Sequence, residues 1–340
     1  MKNKIKICLI GAGRIGYSLE LDKKRLKPAS HYGMWMSNPS AQLVAIADKK
    51  KLRLIYKKKK INFKFYKNYK IMIKKEKPKI ISICTWKDTH YKITNTCIDL
   101  GVKVIVLEKP LANNISQAKK ILKKINLTKT NVIVNHRRRF DDDIIKLKSL
   151  LEKGIIGDIL QVSCFYVYGI LTTGTHLIDT IRMLFIDIAG EIDEVTGFKS
   201  NNLSFKSKDD NNLDAFLKFK NGLSCAIQSL DMKSYDNFDI YIYGKKGKIL
   251  ISGIGRDILY YKIIDSPEHT DFKELTNMPK KLNSSNPRPQ FKKLGENAIN
   301  CLLKKSKPLC DAKESYKDMV IIDYIIKSAK NNSKKYKIKF

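Results

Sequence analysis

Near its start the chain reads Ile5-Lys6-Ile7-Cys8-Leu9-Ile10 and then Gly11-Ala12-Gly13-Arg14-Ile15-Gly16. The apolar run predicts a buried strand, and the loop that follows has the GxGxxG form of a dinucleotide-binding turn. In such a turn the first glycine allows the tight bend, the second lets the backbone approach a pyrophosphate, and the third lets a helix pack on the strand. A helix that begins inside the loop would offer its N–H groups to the phosphates. All six loop residues are therefore expected to bind a nucleotide cofactor.

An acidic residue, Asp48, closes the next apolar run at 43–47. A carboxylate in this place accepts hydrogen bonds from the adenine ribose and repels a 2′-phosphate, which favours NAD over NADP. Lys49 and the two lysines after it either bind a 2′-phosphate or form a solvated turn, so NADP remains an alternative coenzyme. Asp48 lies 32 residues beyond Gly16, whereas the usual spacing is about 20. Residues 17–40 are therefore expected to hold an insertion.

The first 135 residues alternate strands with helices, which predicts a parallel, doubly wound sheet, the Rossmann architecture, over 1–135. The strands are expected at 5–10, 43–47, 63–65, 79–84, 102–107 and 131–135. The helices are expected at 69–76, at 90–100 and, with Ser116 as the N-cap, at 116–125. This half of the chain is the expected dinucleotide-binding domain.

The pattern changes after residue 135, and 136–340 is expected to form a second α/β domain. Helices are expected at 142–153, 175–184, 291–303 and 312–329, and a long loop at 266–290. Successive strands are expected at 158–168, 214–220, 223–230, 238–243 and 248–252. Such a run of strands predicts a mostly antiparallel sheet. An arrangement in which the final helices pack back on the first domain is left open.

The formal net charge of the 340-residue chain is +34, which raises the question of nucleic-acid binding. Only nine of its 67 basic residues are arginine, the residue that base and phosphate recognition favours. The lysines are spread along the whole chain, a pattern typical of codon bias in an AT-rich genome. We therefore expect no specific nucleic-acid partner, although the charge promotes non-specific binding at low salt and steers anionic substrates inward.

The seven cysteines show neither CxxC pairs nor the spacing of a zinc site, so no metal is expected. Several of them lie in apolar, strand-like runs. This placement predicts that the thiols are reduced and packed in the core of a cytoplasmic protein. The apolar run at the N-terminus ends after six residues, which is too short for a signal peptide. No apolar stretch of about 20 residues is present, so no membrane span is expected.

The tripeptide Glu108-Lys109-Pro110 follows the strand expected at 102–107. Residues just past the carboxyl end of a strand face the cofactor crevice of an open parallel sheet. Pro110 restrains Lys109 towards an extended conformation. A lysine that is desolvated and close to other cations has a lowered pKa, which suits it to donate or accept a proton. In a chain so rich in lysine, an ordinary surface lysine is the alternative.

Two further motifs are NHRRRFD at 135–141 and GTHLID at 174–179. The glycine loop, the EKP tripeptide, GIIGDI at 154–159 and YGKKG at 243–247 complete the set on which a resemblance over nearly the whole length of the chain rests. The chain thereby resembles the glucose–fructose oxidoreductase, inositol dehydrogenase and MocA family of NAD(P)-dependent oxidoreductases. The resemblance implies a Rossmann domain followed by an α/β domain with a large, open, mostly antiparallel sheet. Members often use that sheet to form homo-oligomers, here a dimer or a tetramer.

The resemblance places the catalytic roles on Lys109, which also borders cofactor and substrate, and on His176, which orients or protonates the substrate oxygen. A hydride would pass between the nicotinamide C4 and a carbinol carbon of a sugar or polyol. Asp179, one helical turn beyond His176, is expected to brace the helix. Further residues assigned to the cofactor are Thr85, Trp86, His90, Glu108 and Asn135. Further residues assigned to the substrate are Arg138, Tyr168, Thr172 and Thr173.

The chain departs from the family pattern at Thr172, where many members carry an aspartate that completes a Lys–Asp–His relay. A threonine hydroxyl forms hydrogen bonds but is no general base near neutral pH. Either His176 and Lys109 suffice, or the proton route differs, or the chemistry is weak. Trp86 stands in place of the proline usual after the fourth strand, and it either stacks on the nicotinamide or substrate or belongs to the core.

The sequence thus predicts a cytoplasmic NAD(P)-dependent oxidoreductase that acts on a CH–OH group of a sugar derivative, preferably a sugar nucleotide or surface-glycan precursor. Two alternatives stay open. A non-catalytic or weakly active nucleotide-binding or regulatory protein, motivated by Thr172, would bind cofactor without turnover. A plain polyol or inositol dehydrogenase would normally carry the aspartate that Thr172 replaces.

Overall fold

The computed structural model describes residues 4–49, 63–202, 210–284 and 289–340. The chain forms two compact units: Met1–Asp141 with Pro287–Tyr316, and Asp142–Asn286 with Lys317–Phe340. Each unit is therefore assembled from two separate stretches of chain, whereas the domains expected at 1–135 and 136–340 are each continuous. Those domain bounds stay a prediction.

The described residues contain sixteen strands and eight α-helices. The strands are β1 (Ile5–Ile10), β2 (Ala41–Ala47), β3 (Lys64–Tyr66), β4 (Ile80–Ile83), β5 (Val104–Leu107), β6 (Asn131–Val134), β7 (Ile159–Tyr166), β8 (Ile192–Lys199), β9 (Leu213–Phe219), β10 (Ser224–Ser229), β11 (Phe238–Gly244), β12 (Gly247–Ser252), β13 (Asp257–Asp265), β14 (Lys273–Leu275), β15 (Lys280–Lys281) and β16 (Tyr336–Lys337). The helices are α1 (His31–Ser37), α2 (Tyr69–Glu76), α3 (Lys87–Asp99), α4 (Ile115–Thr128), α5 (Asp142–Glu152), α6 (Thr175–Ala189), α7 (Gln290–Leu302) and α8 (Ala312–Lys330). Among the described residues, none of these helices combines the length and apolar character needed to cross a bilayer.

The first unit is built on a six-stranded parallel sheet with the strand order β3-β2-β1-β4-β5-β6. All four residues of β4 and all four of β5 are buried, as expected where a parallel sheet is covered on both faces. The doubly wound parallel sheet expected from the sequence is confirmed. Because the strands are parallel, their carboxyl ends lie along one edge, and the chain leaves every strand there.

The helix expected after the glycine loop is interrupted. The backbone makes one helical turn, in which the Tyr17 N–H donates to the Gly13 oxygen at 2.9 Å, and then turns away. It returns at α1, where the His31 and Tyr32 N–H groups donate to the carbonyls of Ile15 and Gly16 at 3.1 and 2.9 Å. The insertion therefore divides one helix into two pieces that hydrogen bonds rejoin.

Two local expectations are wrong. Asn114, not Ser116, caps α4, because Asn114 is extended and its side chain accepts the Gln117 N–H at 2.9 Å. The stretch expected as a loop at 266–290 contains two short strands, β14 and β15, which pair with β13. A polar composition conceals such edge strands, since their side chains need no apolar partner.

The second unit carries a ten-stranded sheet with the order β14-β13-β12-β11-β7-β10-β9-β8-β16, and with β15 also paired to β13. All its pairs are antiparallel except β7 with β10, so the expected mostly antiparallel sheet is confirmed. Buried and more exposed residues alternate along β9 and β11. Such alternation marks a sheet with one face on the core and the other left more open.

Candidate active site

Two of the three loop glycines are required by the fold itself. Gly11 has a φ of +88°, a conformation that glycine adopts without steric cost. A β-carbon on Gly11 would lie 2.9 Å from the carbonyl of Cys84, and one on Gly16 would lie 2.1 Å from the Gly11 oxygen. A β-carbon on Gly13, in contrast, would meet nothing within 4 Å. Open space therefore borders the one glycine whose backbone is expected to approach a pyrophosphate.

Asp48 directly follows β2 and lies against the glycine loop. Its Oδ2 accepts a hydrogen bond from the Ala12 N–H at 2.7 Å. The carboxylate is thereby held beside the turn, as a contact to an adenine ribose requires. Lys49 is exposed, whereas Lys50 and Lys51 lie outside the described residues, so 2′-phosphate binding by these lysines stays a prediction.

The segment leaving β4 passes close to the same loop. The methyl group of Thr85 lies 2.9 Å from the β-carbon that a side chain on Gly11 would introduce. Trp86, the next residue, is 86% exposed. The core alternative for Trp86 is therefore wrong, and its indole is available to stack on a ligand.

His90 lies in α3 and is fully buried. Its Nδ1 lies 2.7 Å from the Pro110 oxygen, and its Nε2 lies 2.9 Å from the Thr85 oxygen. Burial lowers the pKa of His90, against the two carbonyls, which favour the protonated ring. Both ring nitrogens thus face backbone carbonyls, and the cofactor contact expected for this residue stays a prediction.

Glu108 lies at the exit of β5 in a network of buried polar groups. Its Oε1 accepts hydrogen bonds from Asn135 Nδ2 at 2.7 Å and from His31 Nε2 at 2.8 Å. His31 Nδ1 lies 3.1 Å from Ser82 Oγ, which also accepts the Trp35 Nε1–H at 2.8 Å. Burial works to raise the pKa of the Glu108 carboxyl, but these two hydrogen bonds and the Lys109 charge outweigh it and hold that pKa below its ordinary value.

Lys109 is half-buried and follows Glu108 at the same sheet edge. The peptide bond between Lys109 and Pro110 is cis. Arg138 is also half-buried and lies in a 3-10 turn directly after β6. The first unit thus gathers its expected cofactor residues, and with them Lys109 and Arg138, after the carboxyl ends of β1, β2, β4, β5 and β6.

The expected substrate residues of the second unit lie on one continuous segment. Tyr168 is half-buried with a φ of +71°, and Thr172 and Thr173 lie in the π-helical turn that joins β7 to α6. His176, half-buried, is the second residue of α6. Asp179 is buried one turn further along the helix.

A carboxylate from elsewhere in the chain contacts Thr172. Asp210, 4% exposed, accepts a hydrogen bond from Thr172 Oγ1 at 2.5 Å and another from the Leu171 N–H at 2.7 Å. Asn212, two residues further along, accepts the Gly169 N–H at 2.8 Å. The turn that carries Thr172 therefore has an acidic group beside it, although residue 172 is not acidic.

Sequence reasoning missed His31 and Asp210. His31 lies inside the insertion, where no spacing relates it to Glu108, 77 residues away. Asp210 lies 38 residues beyond Thr172 in a polar stretch that offers no apolar period. The one available signal was Ser30, a good helix N-cap, whose side chain accepts the Gly33 N–H and so marks the start of α1.

Two family models match successive parts of the chain. Residues 5–136 match the model described as "Oxidoreductase family, NAD-binding Rossmann fold". Residues 144–250 match the model described as "GFO/IDH/MocA C-terminal domain". The two matches follow each other in the order of the two halves expected from the sequence.

Curated relatives match over part of their length. The uncharacterized oxidoreductase YhhX of Escherichia coli (strain K12) is 26% identical over 191 residues, which are 52% of this chain and 53% of that protein. The myo-inositol 2-dehydrogenase of Thermotoga maritima is 28% identical over 154 residues, which are 45% of this chain and 42% of that enzyme. The chain thus spans about half the length of these relatives.

Solved structures match along nearly the whole chain. The WlbA dehydrogenase from Bordetella pertussis, crystallised with NADH and UDP-GlcNAcA, has a TM-score of 0.76 and 18% sequence identity. The match covers 99% of this chain and 100% of that one. At this identity the likeness establishes the two-part α/β fold.

Proposed function

Since the chain belongs to the GFO/IDH/MocA oxidoreductase family, we propose that it transfers a hydride between NAD(P) and a carbinol carbon of a sugar derivative. One observation carries the proposal most directly. The glycine loop, with Asp48 hydrogen-bonded to it, lies on the same sheet edge as Lys109 and its partners. A pyrophosphate held at that loop would place the rest of a dinucleotide along this edge.

NAD(P), when bound, supplies or accepts the hydride. The N–H groups of the glycine loop bind the pyrophosphate, and Asp48 accepts from the ribose. Lys109 holds or moves the proton of the substrate hydroxyl, because an amine at the sheet edge is able to donate and accept. His176, in the second unit, is proposed to orient or protonate the substrate oxygen, and Arg138 to bind the substrate.

A sugar nucleotide or surface-glycan precursor is the proposed substrate class. The net charge of +34 suits an anionic substrate, and the complex of the WlbA dehydrogenase with UDP-GlcNAcA offers a precedent for the fold. Similarity to the Thermotoga maritima myo-inositol 2-dehydrogenase favours an inositol as the second candidate. Turnover of NAD(P) in the presence of UDP-sugars, free sugars and inositols decides between the two, and turnover with inositols alone would overturn the first.

The non-catalytic alternative is weakened by Asp210. Its carboxylate contacts the Thr172 hydroxyl, so an acid remains beside the position where many family members carry one. Isothermal calorimetry with NADH, run beside the substrate panel, separates the two cases. Binding of NADH without turnover of any substrate would favour the regulatory alternative.

Replacing Asp48 with asparagine is expected to shift the coenzyme preference from NADH towards NADPH by about tenfold, or about 1.4 kcal/mol. Asparagine keeps an oxygen that can accept the Ala12 N–H, so the substitution removes the charge and leaves the loop contact. Fluorescence titration with both coenzymes measures the ratio of their Kd values. Lys49→Ala is the control, and a larger shift in that variant would assign coenzyme choice to the lysines instead.

A homo-oligomer, either a dimer or a tetramer, is proposed to form through the open face of the ten-stranded sheet. That face carries aromatic residues, among them Phe165 against Tyr241 at 5.9 Å between ring centres, and Phe216, which is 43% exposed. Burying such rings favours association. In sedimentation velocity, Phe216→Glu is expected to yield a smaller species than the wild type. A wild-type monomer would end this part of the proposal.

The location proposed for the protein is the cytoplasm. All seven cysteines are buried and none forms a disulfide. Burial raises the pKa of several of their thiols, that of Cys8 to about 12, which keeps them protonated and unreactive. Such thiols fit a reducing compartment.

A further inference from the structure

The two neighbours of Lys109 in the chain are each contacted by a buried histidine. On one side, His31 Nε2 lies 2.8 Å from the carboxylate of Glu108. On the other, His90 Nδ1 lies 2.7 Å from the carbonyl oxygen of Pro110. Both imidazoles are fully buried, and they come from different helices, α1 and α3.

The donor at His31 follows from its partners. An ionised carboxylate has only acceptor atoms, so the Nε2 that faces Glu108 carries a proton. The Nδ1 lies 3.1 Å from the Ser82 hydroxyl, whose oxygen accepts the Trp35 N–H. Trp35 also belongs to α1, so the indole and the imidazole are anchored on the same serine. The carboxylate of Glu108 is therefore held from a helix that the insertion brings back to the glycine loop.

The donor at His90 is assigned from the lengths of its two contacts. Carbonyl oxygens only accept, and a neutral imidazole has one N–H. Because burial lowers the pKa of His90, the ring is neutral at physiological pH, and we assign its proton to the shorter contact, with Pro110. The Nε2 then lies against the Thr85 oxygen without donating.

We propose that His31 and His90 are positioning residues that fix the place of the Lys109 amine by holding Glu108 and Pro110. This inference rests on the proposed function for its catalytic consequence, although the placement of the amine is measurable without cofactor or substrate. Proton transfer is sensitive to displacement, since about 1 Å of misplacement costs on the order of a hundredfold in rate. Two hydrogen bonds, one from α1 and one from α3, restrict the segment on both sides of the lysine.

Asparagine and glutamine variants distinguish the two nitrogens of each ring. The amide of asparagine reaches the position of Nδ1, and the longer glutamine reaches that of Nε2. His31→Gln therefore keeps the bond to Glu108, and His31→Asn loses it. At His90 the order is reversed, because Nδ1 makes the contact with Pro110: His90→Asn keeps this bond, and His90→Gln loses it.

The first measurement is the reactivity of the Lys109 amine in the cofactor-free protein. The protein is acetylated with N-acetoxysuccinimide, and mass spectrometry gives the acetylation rate of Lys109 relative to that of Lys103, an exposed lysine before β5. In His31→Asn and His90→Gln the relative rate is expected to change by at least about threefold, and kcat on any substrate found above to fall about ten- to a hundredfold. In His31→Gln both are expected to stay within about twofold to threefold of the wild type. In His90→Asn, at a residue also assigned to the cofactor, the relative acetylation rate of the cofactor-free protein is expected to stay within this range.

A role in packing alone would affect both variants at a site equally, so the reversed order at the two sites is the decisive result. Equal changes in all four variants, or none in any, would overturn the inference. If the reversed order appears in acetylation but no substrate turns over, the proposed function fails and the positioning of Lys109 stands.

Loss of folding in a variant is detected by thermal unfolding, and the wild type then supplies a second test. With five histidines in the chain, imidazole ¹⁵N spectra are sparse enough to resolve each ring. Slow solvent exchange of the His31 Nε2–H and His90 Nδ1–H is expected. Rapid exchange of either proton would contradict the assignment.

Discussion

Replacing Lys109 with alanine is expected to lower kcat by about 10²- to 10⁴-fold, the range for loss of a general acid–base group. The affinity for NADH is expected to change by less than about threefold, because the glycine loop and Asp48 hold the other end of the coenzyme. Stopped-flow absorbance of NADH gives the rate, and fluorescence titration gives the Kd. Lys103→Ala, at the opposite end of β5, serves as the matched control.

Lys109→Arg divides the role of the amine into charge and proton transfer. Arginine keeps a cation but stays protonated in proteins. Recovery of most of the activity in Lys109→Arg would assign an electrostatic role, whereas a rate as low as that of Lys109→Ala indicates proton transfer. Wild-type turnover in Lys109→Ala would remove the proposed mechanism altogether.

Replacing Gly16 with alanine is expected to prevent stable folding of the first unit. The new β-carbon would lie 2.1 Å from the Gly11 oxygen and 3.1 Å from the Gly11 carbonyl carbon. Both are backbone atoms, so the loop itself would have to move, which costs at least about 3 kcal/mol in a packed interior. Thermal unfolding by circular dichroism is expected to show a large fall in Tm or no folded protein.

Gly13→Ala is the matched control for this prediction. Its β-carbon meets nothing within 4 Å, so the Tm of the cofactor-free protein is expected to stay unchanged. The methyl group would instead occupy the approach to the pyrophosphate, and the Kd for NADH is expected to rise at least about tenfold. A normal Tm in Gly16→Ala, or unchanged NADH affinity in Gly13→Ala, would refute the respective role.

The parallel sheet was predictable because its strands are short apolar runs separated by helices. The runs that became β4 and β5 are buried at every position, so their composition alone identifies them. The strands β14 and β15 were not predictable, because all five of their residues are exposed and carry no apolar period. Edge strands of this kind are determined by pairing with β13, which the local sequence does not encode.

The candidate site likewise has residues that could be predicted from the sequence and residues that could not. Asp48 and Lys109 were predictable because each follows an apolar strand, and the carboxyl ends of parallel strands share one edge. The partners of Glu108 and Thr172 were not, because His31 and Asp210 reach them over 77 and 38 residues of chain. Contacts over such distances depend on tertiary packing and leave no spacing in the sequence.

The rejoined helix has a practical consequence for engineering. Since the N–H groups of His31 and Tyr32 bond to Ile15 and Gly16, the two pieces are joined directly as well as through the peptide between Tyr17 and His31. Lengthening a loop whose ends are already held together costs only about 0.6 kcal/mol for each doubling of its length. A reporter peptide fused within this excursion is therefore expected to be tolerated, which would give a coenzyme sensor with its label beside the nucleotide.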